Sequence, residues 1–226
     1  MCKKSLYLLI LMAVLWPFTA LAQSEAPQKR GMAVMELFTS VGCPACPAAD
    51  DLALQIDDRY ADVMVLSCHV TFFDRRVNGA KLSQKFCDTR QKNYHSAKVV
   101  KQTYTPQVIV NGQFDAVGSS RKNVLAALRN GGPLPRISVT RNINSLDVQL
   151  PTIESPGSAD VWLITYTPRQ TDPKFEKAVN VVTDIKRVME WNGQRLNTSI
   201  PVANTGSSYA VIVQNALSRE IIAVGR

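Results

Sequence analysis

The sequence predicts an α/β domain of order β-α-β-α-β-β-α followed by a small antiparallel all-β domain. Three observations carry that reading. Apolar runs at 32–38 and 63–70 alternate with stretches whose apolar residues recur at helical spacing, the mark of an α/β unit. Gly131-Gly132-Pro133-Leu134-Pro135 then sets two glycines and two prolines within five residues. Beyond it, short alternating segments are separated by Pro, Gly and Asn loops without a helical period. The predicted division is a signal peptide at 1–22, a disordered leader at 23–30, the α/β domain at 31–132 and the β-rich domain at 136–226.

The chain of 226 residues opens Met-Cys-Lys-Lys, runs apolar from Leu6 to Phe18 and reaches Ala20-x-Ala22, the pattern of a secretory signal peptide. Its apolar stretch is short for a membrane span, so contact with a membrane is expected only through the uncleaved signal. Cleavage near Ala22 removes Cys2, Lys3 and Lys4 and leaves a basic periplasmic or secreted protein. Cys43, Cys46, Cys68 and Cys87 remain, an even number that fits an oxidising compartment. A mature chain of this length buries a core without cysteine staples. The net charge of +8 is scattered, without a dense Lys/Arg run or interleaved aromatics, so no nucleic-acid partner is expected.

The first strand, Met32 to Phe38, ends in Thr39-Ser40. Cys43-Pro44-Ala45-Cys46 follows, and Ala49, Leu52, Ala53 and Ile56 give the next helix one apolar face, ending near Tyr60. The spacing places Cys43 just outside that helix and Cys46 in its first turn, with Pro44 at the first helical position and Pro47 out of place. Val63 to Val70 is nearly continuous in apolar residues, as in a buried parallel strand. Lys81 to Lys98 forms a helix with Leu82, Phe86 and Tyr94 as a partial stripe. Asn111-Gly112 between two short apolar runs predicts a hairpin whose first strand is opened by Pro106. Gly118-Ser119-Ser120 caps a helix over Lys122 to Asn130. Six strands are then read, around 137–140, 146–150, 161–166, 181–185, 208–214 and 221–224, as a small sandwich.

Chemistry concentrates at the cysteine pair. Backbone N–H groups at a helix start lack internal partners and the dipole is positive there, so a thiolate at Cys43 is stabilised. Thiolate is the attacking species in disulfide exchange, and Cys46, one turn deeper, resolves the mixed disulfide. Asp50 and Asp51 oppose that thiolate slightly.

Cys43-Pro44-Ala45-Cys46 together with Thr105-Pro106-Gln107 resembles thioredoxin-like proteins, and within them glutaredoxins. That resemblance implies a thioredoxin-like fold for 31–132, a cis-proline at Pro106 beside the cysteines, and Thr105 offering backbone groups to a bound substrate strand. Glu36-Leu37-Phe38-Thr39-Ser40 through Cys46-Pro47-x-Ala49-Asp50, then Tyr104-Thr105-Pro106-Gln107-Val108, Val179 to Val182 and Ala210 to Gln214, resemble the bacterial secreted family catalogued as domain of unknown function 1223. Cys68 and Cys87 depart from that family's pattern.

The expected function is an exported thiol–disulfide oxidoreductase using Cys43 and Cys46, with protein or small-thiol disulfides as substrates and a redox partner protein. Direction, whether oxidase, reductase or isomerase, stays open. Two alternatives stand beside it: a binding module with a static Cys43–Cys46 disulfide, and a copper or zinc carrier. Cys43, Cys46, Cys68, Cys87, His69 and Met64 are soft donors, but His95 is the only other histidine and the second pair lacks Cys-x-x-Cys spacing. No cofactor and no metal are therefore expected. Cys68 and Cys87 are read as a second disulfide, as free thiols or as a relay to the first pair. His69 is read as a satisfied strand-end side chain, and Trp162, Trp191 and Tyr166 as core. With two histidines and no Ser-His-Asp set, a hydrolase reading is poor.

Overall fold

The structure is a computed structural model that describes residues 31–76, 82–154, 158–169, 178–204 and 206–226. The expected signal peptide and leader lie outside the described residues. The first half runs β1 (Ala33–Thr39), α1 (Pro47–Arg59), β2 (Val63–His69), α2 (Lys85–Ser96), β3 (Gln107–Val110), β4 (Phe114–Val117) and α3 (Arg121–Gly131), the order read from the sequence. The second half adds β5 (Ser138–Arg141), β6 (Ser145–Leu150), β7 (Ala159–Thr167), β8 (Val181–Trp191), β9 (Leu196–Pro201), β10 (Ser208–Asn215) and β11 (Ile221–Gly225).

Eight strands form one mixed sheet in the order β11-β10-β7-β8-β2-β1-β3-β4, and β5-β6-β9 form a separate antiparallel sheet. β1 and β2 are parallel, and all seven residues of each are buried, which explains their near-continuous apolar sequences. Successive side chains point to opposite faces. Val34 and Phe38 of β1 join the core under α2, with Cys87 and Tyr94. Ala33, Met35 and Leu37 face the other way, into a core closed by Ala49, Leu52, Ala53 and Ile56 of α1 and Val124 and Ala127 of α3. Farther along, Val161, Leu163, Val211 and Val213 of the large sheet pack against Leu146, Val148, Leu150 and Ile200 of the small one.

The second half is thus not a self-contained sandwich. β7, β8, β10 and β11 continue the first sheet, and only β5, β6 and β9 stand apart. Alternation reveals a strand but does not name its neighbour. The seam is narrow: β2 and β8 share one register pair, Ser67 and Val181. Asn180 makes the turn there with φ of 47°, a conformation asparagine tolerates well. Its carbonyl accepts the Ser67 N–H at 3.1 Å, and its Nδ2 donates to the Val65 carbonyl at 3.0 Å and to Asp57 at 2.9 Å.

The Asn111-Gly112 turn is observed with both residues at positive φ, 50° and 68°. Asn111 ties three segments together. Its Oδ1 accepts the Val34 N–H at 2.8 Å, its Nδ2 donates to the Gly131 and Gly132 carbonyls at 3.0 Å each, and its own carbonyl accepts the Ile221 N–H at 2.9 Å. A side chain on Gly112 would meet the Arg219 carbonyl at 2.0 Å, so β11 sits directly on the turn.

Candidate active site

β1 ends at Thr39 and the chain winds through a tight double turn. The Ser40 carbonyl accepts the Cys43 N–H at 3.1 Å, and the Cys43 carbonyl accepts the Cys46 N–H at 3.2 Å. The Cys46 carbonyl then accepts from Ala49 and Asp50 at 2.8 and 3.0 Å, which opens α1. The helix therefore starts about one turn later than its spacing predicted. Cys46 is the N-cap, and Pro47, not Pro44, takes the first helical position. Pro47 loses nothing there, because its missing N–H would have been unpaired in any case.

Cys43 and Cys46 are joined in a disulfide with Cα atoms 5.4 Å apart. Cys46 is fully buried, and Cys43 is only 3% exposed. Cys43 was expected to be the open sulfur; the double turn folds it inward, leaving a small window.

The Thr105–Pro106 bond is cis. A Cβ on Gly118 would lie 3.0 Å from Pro106 Cβ, 3.1 Å from Leu37 Cδ1 and 3.2 Å from Ala49 Cβ. Pro106, Leu37 and the first turn of α1 therefore converge on Gly118. A polar network fixes this loop. Gln91 Nε2 donates to the Tyr104 carbonyl at 2.8 Å and to Gln107 Oε1 at 2.7 Å, and Gln107 Nε2 donates to Asp115 at 2.9 Å. Tyr104 donates to Asp115 at 3.0 Å, and its own hydroxyl pKa is pushed upward, first by burial and then by that carboxylate. Next to Thr105 opens a groove of about 520 Å³ lined by Phe72, Phe73, Lys92 and Tyr104. Phe72 is 77% exposed at its mouth. Asp88 holds the near wall by accepting from the Thr71 N–H at 2.8 Å and from its hydroxyl at 2.6 Å.

His69 closes β2 opposite Thr39. The alternation that sends Val63 and Val65 toward α1 sends His69 the same way. It is 2% exposed, and neither ring nitrogen has a hydrogen-bond partner, contrary to the expectation of a satisfied side chain. The hydroxyl of its register partner Thr39 is buried and unpartnered as well, as is that of Ser40. Burial pushes the imidazole down to about 4, so the ring is neutral at neutral pH.

Cys68 and Cys87 form the second disulfide, joining β2 to α2 on the opposite face of the sheet. Met64 lies on that face too. The soft donors grouped for a metal carrier are thus divided by the sheet, and no cluster of three or more His, Cys, Asp or Glu suited to a metal occurs among the described residues. The division also separates the two cysteine pairs that a relay would connect. Trp191 is core, whereas Trp162 is only partly buried.

Sequence reasoning missed a buried ionic cluster. Glu36 on β1 accepts from Arg90 Nε and from the Tyr94 hydroxyl, and from Arg90 Nη2 at 3.0 Å. Gln214 of β10 donates to Tyr94 at 3.1 Å. Burial opposes the Arg90 charge, but the Glu36 carboxylate overcomes it and the guanidinium stays protonated. The one available signal was a carboxylate inside an otherwise apolar strand.

No curated protein matches the chain. A crystal structure of protein AGR_C_4864 from Agrobacterium tumefaciens is similar at a TM-score of 0.71 and 28% identity, over 85% of this chain and 90% of that one. HBP35 of Porphyromonas gingivalis is similar in fold at a TM-score of 0.53 and 12% identity, over 87% of this chain and 74% of that one. The family described as "Protein of unknown function (DUF1223)" matches residues 34–214, so the chain belongs to that family.

Proposed function

We propose that residues 31–132 are a thioredoxin-like unit and that the protein is an exported thiol–disulfide oxidoreductase working through Cys43 and Cys46. The observation that carries this reading is the pairing of a Cys43–Cys46 disulfide at the opening of α1 with a cis Thr105–Pro106 bond that converges with that helix's first turn on Gly118. A reduced Cys43 would gain from the N–H groups and dipole at the helix start. Its thiolate would attack a substrate disulfide, and Cys46 would release the product by closing the bond now seen. The backbone of half-buried Thr105, and the groove beside it, would take the substrate chain. Substrates are protein or small-thiol disulfides, and a redox partner protein resets the pair. A periplasmic or secreted location fits two disulfides, and no helix among the described residues is long and apolar enough to cross a membrane.

The near-complete burial of Cys43 favours a second reading, a binding module with a permanent disulfide. Equilibration with glutathione separates the two. An exchange enzyme gives a potential within the range of the known dithiol catalysts, and Cys43→Ser abolishes insulin-disulfide reduction. A pair that resists reduction well below the glutathione range, with Cys43 inert to alkylation, establishes the module instead.

A further inference from the structure

We propose that the groove beside Thr105 docks an extended polypeptide segment that carries an aromatic side chain next to an acidic one. Under the exchange reading that segment belongs to the substrate, but the test below does not depend on exchange. The groove is tied to the central sheet through buried Val70, whose N–H donates to the Thr39 carbonyl at 2.9 Å. It therefore opens at the end of β1 and β2 from which the chain runs on toward Cys43. Open α/β sheets present their ligand crevices at those strand ends. One wall is the Phe72-Phe73 pair, whose ring centroids lie 4.9 Å apart in an edge-to-face contact. The Arg76 guanidinium lies over the Phe73 ring at 4.8 Å and braces it. Phe72 is left 77% exposed. A single exposed phenylalanine needs no explanation. One steadied by a second ring at the mouth of a groove is a platform for another aromatic side chain.

The Thr105 side of the groove sets the form of the occupant. The Tyr104 carbonyl accepts from Gln91 Nε2 at 2.8 Å, and the Pro106 carbonyl accepts the Gly118 N–H at 2.9 Å. Between them, the N–H and C=O of half-buried Thr105 have no hydrogen-bond partner among the described residues. A free main-chain donor and acceptor side by side suit an extended backbone better than a compact small molecule. Charge sets the sign. Asp88, the only carboxylate lining the groove, has both oxygens bound to Thr71, and Asp74 in the following turn accepts from the Ser83 hydroxyl at 2.6 Å. Lys92, one turn along α2 from Asp88, lines the groove without a salt-bridge partner among the described residues, and so does Arg76 on its Phe73 ring. The carboxylates here are closed and the cations open, which calls for an anionic residue beside the aromatic one.

The test uses the full mature chain and three dye-labelled, cysteine-free peptides read by fluorescence anisotropy. One repeats Phe-Glu, one Phe-Lys and one Gly-Glu. The Phe-Glu peptide is expected to bind about tenfold tighter than either of the others, the scale of loss when an aromatic or charged anchor is removed. Phe72→Ala should weaken it by a similar factor, and added salt should weaken it further. Lys92→Glu should shift the preference from Phe-Glu toward Phe-Lys, a reversal that misfolding does not produce. Equal binding of the three peptides, or no binding of any, overturns the proposal. So does a wild-type dimer in sedimentation that Phe72→Ala turns into a monomer, because the groove then belongs to a second copy of the chain. Since no peptide carries sulfur, a protein inert toward disulfides that still selects Phe-Glu loses the exchange function and keeps the docking site. A protein that exchanges a small-thiol disulfide but does not select among the peptides loses only the docking site.

Discussion

Glu36 sits in a strand with no exposed residue, and Arg90 and Tyr94 reach it there from α2. Removing one partner of such a pair leaves the other charge buried and alone. Glu36→Gln is accordingly expected to cost about 3–5 kcal/mol in urea denaturation, while replacing Glu36 and Arg90 together with apolar residues should cost far less. Arg90 is distant in sequence and gave no sign of its partner. His69 makes a second prediction at this scale. The unfolded chain takes up a proton near pH 6.5 that the folded chain refuses until about pH 4. Stability is therefore full above pH 6.5 and declines as the pH falls through that window, by about 3 kcal/mol for this group. His69→Gln should flatten that part of a stability-versus-pH curve measured by denaturant melts. The sequence placed His69 at a strand end but could not show that its nitrogens would go unpaired, because that depends on which turns close over it.

The elements were legible wherever one period ran long enough. All three helices and six of the seven later strands follow from apolar spacing. The missed strand, β9, reads Leu-Asn-Thr-Ser-Ile-Pro, and with only two core-facing apolar residues it looks like loop. The start of α1 was misplaced because proline signals a helix start without saying which of two prolines makes it. Two predictions belong to this scale. Cys68 and Cys87 are 19 residues apart and pin α2 to β2, so their joint replacement by alanine should lower stability by about 3 kcal/mol in thermal or urea melts. Gly118 is walled by Pro106, Leu37 and Ala49, all near 3 Å from any added Cβ. Gly118→Val should push the Pro106 loop from α1 and reduce exchange activity more than it reduces secondary structure seen by circular dichroism.

At the scale of the whole molecule, the glycine and proline run after α3 looked like a boundary between independent units. It is instead a crossing, after which the chain adds four strands to a sheet already begun. Composition could not reveal this, since the join is made by one bridge between β2 and β8, the side chain of Asn180, the Asn111–Ile221 and Tyr94–Gln214 hydrogen bonds and a shared core, all between residues distant in sequence. A fragment covering 31–132 should therefore lack a cooperative melting transition, because β2 loses its outer neighbour and Asn111 its link to β11. Dispersed amide spectra from that fragment would refute the coupling. The narrow seam also bears on synthesis. Both sulfur pairs leave the ribosome well before β8 does, and in the interval β2 offers a bare, apolar edge to any passing strand. The half-made polypeptide, rather than the finished one, is the form prone to aggregate, and how fast its last hundred residues arrive sets how long that hazard lasts.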